Sequence, residues 1–522
     1  MATTSFLVIV ASIVVGVLGA VAVAFSLLRW LRVIQREHYE PGSVERFWRR
    51  WAATSVTGVR WLTWRVVWLA TVIVAVVLVG AGRAIPALGI VAVVAIAFPP
   101  ELTLRGRTSP LAWTRRLSTL AVVALAVAGV IVAVGVLAGR AWIASIVVVA
   151  AVPLLVDLAA WATRPYENLR ARRFVSEAAE RLRRAHPTIV AITGSFGKTS
   201  TKHHLAELLG GRHGVLPTPR SYNNRAGLSR AINENLTEGT RVFIAEMGIY
   251  GPGEIAEMCS WCPPDIAIVT AIGPVHLERM RTLEVVEAAK FEITERAAVV
   301  VLNVDDERLA AWVERLRASG KKVRTAGSLN DRADVRVEMV GERWRISVDG
   351  VDVGIAPPVS GVRETNLACA IAAALELSLG VGELIGRLAH LTSVPNRMVV
   401  ATAPSGVMVI DDTFSANPSG AASSLSTLRS LPVSGRRVVV TPGMVELGSL
   451  QRESNVRLAR DVASLGAELV VVGRTNAGAL HEGYRSPARS FATREGAVEW
   501  VRHELRSGDA VLYLNDLPDH YP

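Results

Sequence analysis

The sequence predicts an α-helical membrane region joined to an α/β part, comprising a P-loop central domain on a parallel sheet and then a Rossmann-like C-terminal α/β domain. Three observations carry this. Hydrophobic residues make up 51% of the 522 and charged residues only 20%, with a mean hydropathy of +0.34, which is more apolar than an ordinary soluble enzyme. The long apolar runs are confined to the first third of the chain. Beyond residue 166, short β-branched runs alternate with helical patterns, the grammar of βαβ units.

Apolar runs at 6–28, 66–82, 84–98, 117–137 and 141–160 give five expected crossings. Most approach the roughly 20 residues that a bilayer core requires, and 84–98 is short enough to be one arm of a tight hairpin with 66–82. The first run reads as an anchor, since no basic residue precedes it and it exceeds a signal-peptide core. Arg29, Arg32, Arg36, Arg46, Arg49, Arg50, Arg60 and Arg65 flank one loop, and Arg105, Arg107, Arg115 and Arg116 the next, whereas the opposite connections carry only Arg83 and Arg140. Basic loops stay cytoplasmic. A multi-pass protein of the plasma membrane is expected, with an external N-terminus and everything after Arg164 in the cytoplasm. The net charge of +11 is then a matter of topology and calls for no nucleic acid. Trp61, Trp64, Trp68 and Trp142 fit interfacial anchors, as would buried tryptophans. The three cysteines, Cys259, Cys262 and Cys369, build no disulfide framework, and the Cys259–Cys262 pair has no second pair to complete a zinc site.

The expected organisation is a transmembrane region at 1–165, a basic amphipathic connector helix at 166–186, a central domain at 187–397 and a C-terminal domain at 398–522. Strands are expected at 188–192, 241–245, 266–270 and 298–302, then at 407–410, 437–441, 468–472 and 510–514. Residues 335–353 alternate like a small antiparallel insertion. Ligands of such sheets sit beyond the carboxyl ends of the parallel strands.

At the first of those ends stands Thr193-Gly194-Ser195-Phe196-Gly197-Lys198-Thr199-Ser200-Thr201, followed by a helical pattern. Glycines let backbone amides face phosphate oxygens, the helix N-terminus adds positive dipole, Lys198 reaches the outer phosphates, and Thr199 offers a hydroxyl to magnesium. Ile192 replaces the first glycine of the common form. Glu246 and His276 follow later strand ends. Only five of the 57 Lys and Arg residues are lysines, Lys198, Lys202, Lys290, Lys321 and Lys322. Arginine is the default cation here, so Lys290 reads either as an amine that must become neutral or be modified, which an arginine cannot do, or as a solvated helix lysine.

These strings, together with Tyr222-Asn223-Asn224-Arg225-Ala226-Gly227, Glu246-Met247-Gly248, Ile272-Gly273-Pro274-Val275-His276-Leu277-Glu278, Leu302-Asn303-Val304-Asp305-Asp306 and Asp411-Asp412-Thr413-Phe414-Ser415-Ala416-Asn417-Pro418, resemble in content and order the Mur ligase family, most of all its dipeptide-adding branch. The resemblance covers about 187–516. It implies ATP and Mg2+ as cofactors, with Gly194, Ser195, Gly197, Lys198, Thr199, Ser200, Asn303 and Arg397 at the nucleotide. Thr199, Glu246, His276 and a carbamylated Lys290 would hold metal, and Lys198, Glu246, His276 and Lys290 would form the catalytic set. Asn223, Asn224, Asp411, Asp412 and Asn417 would face the substrates. The implied reaction activates a carboxylate as an acyl phosphate that an amine then attacks. The chain departs from the family where a soluble nucleotide-sugar domain would precede residue 187, at Phe414-Ser415, before Asn366, and at Leu514-Asn515-Asp516.

The expectation is therefore a membrane-anchored, ATP-dependent carboxylate–amine ligase of cell-envelope and peptidoglycan precursor synthesis. Its partners would be a precursor acid, an amino-acid or dipeptide amine and membrane lipid, with a lipid-linked acceptor suggested by helices in place of the nucleotide-sugar domain. The alternatives are a UDP-linked acceptor with a simple anchor, a poly-glutamate-type synthase, an inactive scaffold and a transporter motor. The intact set Lys198, Thr199, Glu246, His276 and Lys290 weighs against a scaffold, and the nearly charge-free apolar runs weigh against a transporter.

Overall fold

The computed structural model describes residues 2–56, 61–100, 102–104, 110–210, 214–219, 222–359, 361–394, 398–413, 417–515, 517 and 521. The chain divides into two compact units, Met1–Arg170 with Pro518–Pro522, and Ala171–Leu517.

In the first unit the apolar stretches form helices, which satisfy every backbone polar group internally. They are α1 (Ala2–Arg36), α2 (Ser43–Ala52), α3 (Trp64–Gly80), α4 (Ala84–Ala97), α5 (Arg115–Leu137) and α6 (Ala141–Ala185). Among the described residues three helices are long and apolar enough to cross a membrane, Ile9–Arg36, Arg115–Leu137 and Ala141–Ala185. The 17 residues of α3 and the 14 of α4 rise only about 26 and 21 Å at 1.5 Å per residue, short of a core of roughly 30 Å. Joined through residues 81–83, they match the hairpin alternative. The connector expected after 165 is not a separate element, because α6 runs on through Pro153 and Pro165 to Ala185.

Several side chains expected to mark the membrane face also hold this unit together. Arg29 donates to Ile96 O at 2.7 Å and Arg32 to Thr103 O at 2.6 Å, while Gln35 exchanges hydrogen bonds with the backbone of Ala112. Asp157 on α6 accepts the N–H groups of Gly42, Val44 and Glu45 at 2.9, 3.3 and 2.8 Å, capping the amphipathic α2. Trp64 and Trp68 are buried against Phe98, with centroids 5.4 and 5.9 Å away, whereas Trp61 is exposed. Trp64 and Trp68 thus take the buried role.

In the second unit β-branched runs become strands. The chain order is β1 (Thr188–Thr193), α7 (Lys198–Leu208), β2 (Val215–Pro217), α8 (Arg225–Asn235), β3 (Val242–Glu246), α9 (Glu254–Trp261), β4 (Ile266–Val269), α10 (Leu277–Met280), α11 (Leu283–Phe291), β5 (Val299–Asn303), α12 (Glu307–Ala310), α13 (Val313–Ala318), β6 (Lys322–Gly327), β7 (Val335–Val340), β8 (Arg343–Val348), β9 (Val351–Ala356), α14 (Glu364–Glu376) and α15 (Val381–Leu388). The sheet order is β2-β3-β1-β4-β5-β6-β7-β8-β9, parallel from β2 to β7 and antiparallel beyond. The expected insertion therefore extends the main sheet, since β7 pairs in parallel with β6 at Ala326↔Val335.

A second sheet follows, with β10 (Val399–Thr402), β11 (Met408–Asp412), α16 (Pro418–Ser430), β12 (Arg437–Thr441), α17 (Gln451–Ser464), β13 (Glu468–Val472), α18 (Ala477–Tyr484), β14 (Arg489–Phe491), α19 (Arg494–Glu504) and β15 (Ala510–Leu514). Its order is β10-β11-β15-β12-β13-β14, parallel except for β10. Both sheets bury near-continuous apolar strands between helices, as parallel sheets must.

Candidate functional site

The carboxyl ends of β1, β3, β4 and β5 converge on the loop between β1 and α7. Gly194 and Gly197 have φ of +152° and +86°, and a Cβ on either would overlap Thr270 Oγ1 or Asn366 Oδ1 respectively. Only glycine fits this turn. The loop is fastened to the β4 exit: Ser195 N donates to Ala271 O at 2.8 Å, Gly273 N donates to Ser195 Oγ at 2.8 Å, and Thr270 Oγ1 donates to Phe196 O at 2.5 Å. Ser195 thus serves the loop's shape. Gly197 is the cap residue of α7, whose first turn is Lys198, Thr199 and Ser200. That places unsatisfied helical N–H groups at the loop mouth. Lys198 Nζ folds back onto Gly194 O at 2.7 Å.

Glu246, the last residue of β3, is 1% exposed. Its Oε1 accepts from Thr199 Oγ1 at 3.2 Å and Asn223 Nδ2 at 3.1 Å, and its Oε2 pairs with Lys202 Nζ at 2.9 Å. Burial pushes this carboxyl up, but the ammonium groups of Lys202 and Lys198 outweigh it and hold the group below the ordinary glutamate value. Lys290, on α11, is also buried. Burial first, and the like charge of Lys198 second, hold its amine well below the usual lysine range. Lys198, Thr199, Glu246, Asn223 and Lys290 are thereby brought together, with Lys202 as a member the sequence reading passed over.

His276 lies on the neighbouring loop, in the left-handed conformation (φ 60°) that opens α10. Its described partners come from elsewhere: Nδ1 meets Glu446 Oε2 at 2.5 Å, and the Tyr250 ring stands 5.7 Å away. No described contact joins it to Glu246. The asparagines are largely committed to backbone. Asn303 donates to Thr270 O at 2.8 Å and accepts from Asp305 N at 3.0 Å, and Asn224 and Asn417 cap α8 and α16. Asp412 is buried and accepts the Ser424 hydroxyl. Asp411 accepts from Thr413 and lines a cleft of about 360 Å3 with Arg494, Arg502 and Tyr513. Arg397 lies outside the described residues.

Among the described residues no group of three or more His, Cys, Asp or Glu side chains is placed to hold a metal. Thr199 Oγ1 and Glu246 Oε1 nevertheless suit Mg2+, which takes few protein oxygens when phosphate and water complete its octahedron. Burial pushes the Cys259 thiol up to about 12 and the Cys262 thiol higher still, which leaves neither available as a thiolate.

A model of the Mur ligase middle domain matches residues 192–374, and one of the Mur ligase glutamate ligase domain matches 396–514. The UDP-N-acetylmuramoyl-tripeptide–D-alanyl-D-alanine ligase of Mycobacterium leprae is 32% identical over 364 residues, 62% of this chain and 70% of its own. The same-named ligase of Bacillus subtilis is 25% identical over 333 residues, covering 62% and 72%. The crystal structure of MurF ligase from Thermotoga maritima in complex with ADP superposes with a TM-score of 0.56 at 27% identity, over 66% of this chain and 79% of that one.

Proposed function

The chain belongs to the Mur ligase family of ATP-dependent ligases, and we propose that it joins a dipeptide amine to a peptide carboxylate of a cell-envelope precursor at the inner face of a membrane. The observation that carries this reading is the cluster at the phosphate loop, where the ammonium groups of Lys198 and Lys202 act on one buried carboxylate, Glu246, and the buried amine of Lys290 feels the charge of Lys198. A site with more cations than anions is built for a polyanion.

In this reading the amides of Lys198, Thr199 and Ser200 cradle the phosphates of ATP, and Lys198 releases Gly194 O to reach the outer ones. Thr199 and Glu246 hold Mg2+, which would neutralise phosphate charge during phosphoryl transfer. Lys290, whose amine burial holds well below the usual lysine range, would be open to carbamylation, and with His276 it would supply a second cation site. Phosphoryl transfer from ATP to the acid releases ADP and makes an acyl phosphate; the amine attacks its carbonyl carbon, inorganic phosphate leaves, and the nitrogen gives up a proton as the amide forms. Asn223 fixes the Glu246 carboxylate, and Asp411 would face the amine.

The apolar helices of the first unit, three of them of crossing length, support presentation of a lipid-linked acceptor. With α3 and α4 as a hairpin the number of crossings is still odd, so the ligase stays cytoplasmic. The name and 32% identity of the Mycobacterium leprae relative favour a second reading, in which the acceptor is the UDP-linked tripeptide. Purified full-length protein in nanodiscs, given D-alanyl-D-alanine with either acceptor, separates the two by ADP release. Lys198→Ala should abolish that release without unfolding the protein, and unchanged turnover refutes the site.

A further inference from the structure

We propose that Glu446 is the positioning residue for His276, and that their contact clasps the C-terminal domain to the central domain. The proposal rests on the site reading above, because it gives His276 a task within that site.

After β12 the chain turns through residues 442–448, and this turn is stiff. Met444 N donates to Asn455 Oδ1 at 2.8 Å, Asn455 Nδ2 returns a bond to Met444 O at 2.9 Å, and Gly443 occupies φ +77° where a Cβ would overlap Asn455 Oδ1. Glu446 sits at its tip with φ 63°, a left-handed conformation rare for a side-chain-bearing residue. From there it touches the central domain twice: Oε2 meets His276 Nδ1 at 2.5 Å, and its carbonyl accepts Leu277 N at 2.9 Å. Gly448 closes the contact, its Cβ position lying 3.1 Å from the Leu277 backbone. His276 is itself left-handed at φ 60°. Two uncommon backbone conformations, one from each domain, thus meet at a single contact, which marks it as held rather than incidental.

The chemistry gives the contact a purpose. A carboxylate only accepts, so Nδ1 carries a proton, and in the neutral imidazole Nε2 then keeps its lone pair. Among the described residues nothing takes Nε2. Glu446 therefore presents His276 as a ligand or proton acceptor, the part that outer carboxylates play behind ligating histidines. A histidine so arranged works only while the two domains are together.

The test uses the full chain in nanodiscs with AMP-PNP and Mn2+, reading bound Mn2+ by electron paramagnetic resonance and amide exchange across 272–282. Glu446→Ala is expected to weaken Mn2+ binding about 10–100-fold and to speed exchange at Leu277 about tenfold or more through loss of the clasp. Glu446→Gln, whose amide oxygen still accepts from Nδ1, should recover most of both. Adding His276→Ala to Glu446→Ala should cost no further affinity. Glu446→Met, which keeps the bulk, replaces alanine if alanine loosens the turn. Wild-type binding and exchange in Glu446→Ala, or multiplying effects in the double variant, overturn the proposal. Loss in His276→Ala alone overturns only this inference, whereas wild-type Mn2+ binding in both single variants removes His276 from the site as well.

Discussion

His204 offers a direct measure of how dry the helix behind the phosphate loop is. It lies on α7, is fully buried, and neither ring nitrogen has a hydrogen-bond partner among the described residues. Burial first, and the neighbouring His203 second, lower its pKa from 6.5 to about 3. The sign follows from proton counting: above pH 6.5 both folded and unfolded forms are neutral, and below it only the unfolded chain takes the proton, so stability falls on acidification. With one unit equal to about 1.4 kcal/mol, the loss at pH 5 is about 2 kcal/mol, or roughly 4–8 °C in Tm at 2–4 °C per kcal/mol. His204→Leu removes that titration and also relieves two orphaned nitrogens, a gain of about 1–3 kcal/mol at any pH. Scanning fluorimetry of both proteins at pH 8 and pH 5 should show the variant's Tm advantage widening by roughly 4–8 °C in acid. Carboxylates that titrate in this window are common to both proteins and cancel. Parallel curves would refute the argument and mean that the imidazole reaches water or a partner.

Lys202→Met strands Glu246 as a buried, unpaired charge and should cost about 3–5 kcal/mol. Replacing both partners, as Lys202→Met with Glu246→Gln, should recover at least half of that by thermal unfolding. Gly197→Ala forces a Cβ into Asn366, so ATP affinity should fall more than about tenfold in a fluorescent-nucleotide titration, an estimate that follows from a distorted phosphate cradle. Gly253→Ala is the control: it has the same φ of +86° but nothing within 4 Å, and should cost about 1 kcal/mol with nucleotide affinity unchanged. Lys290→Arg puts a permanent charge where burial disfavours one and should unfold at a lower temperature than Lys290→Met; equal stability would show that the position tolerates a charge.

Much of this molecule is legible in sequence where the signal is local. The strands of both sheets announce themselves through β-branched runs because parallel strands buried on both faces have no polar alternation to keep. The three-residue β2 and β14 carry too few residues to form a pattern. The junction of β6 with β7 is invisible because a pairing partner leaves no mark on composition. The phosphate loop is legible for the opposite reason, since its two positive-φ glycines dictate the letters. Lys202 carried a signal, as one of five lysines, yet its purpose depends on β3 delivering Glu246 beside it. Glu446 carried none, because the residue it serves is 170 positions away. Asn224, Asn303 and Asn417 match the family pattern, and their described bonds are nonetheless to backbone, which letter patterns cannot distinguish from ligand contact.

The distribution of lysine shows how tightly the site constrains chemistry. A guanidinium has five donors in a rigid fork and never sheds its proton, whereas an ammonium is compact and loses its proton when buried. Lys202 reaches Glu246 from α7 while both side chains are almost wholly enclosed, and a guanidinium there would bring donors that one carboxylate, already bonded to Thr199 and Asn223, could not all satisfy. Lys290 goes further, since burial disfavours its charged form. The two remaining lysines sit at the rim of the same sheet, where Lys321 donates to Ala297 O at 2.9 Å and Lys322 pairs with Glu376, tasks an arginine performs equally well. A chain that uses arginine 52 times and lysine five times therefore places two of those five, Lys202 and Lys290, where a guanidinium fits poorly. At the loop Lys198 folds back onto Gly194 O, Lys202 is paired with Glu246, and the amine of Lys290 is held well below the usual lysine range. One functional group thus meets three different surroundings.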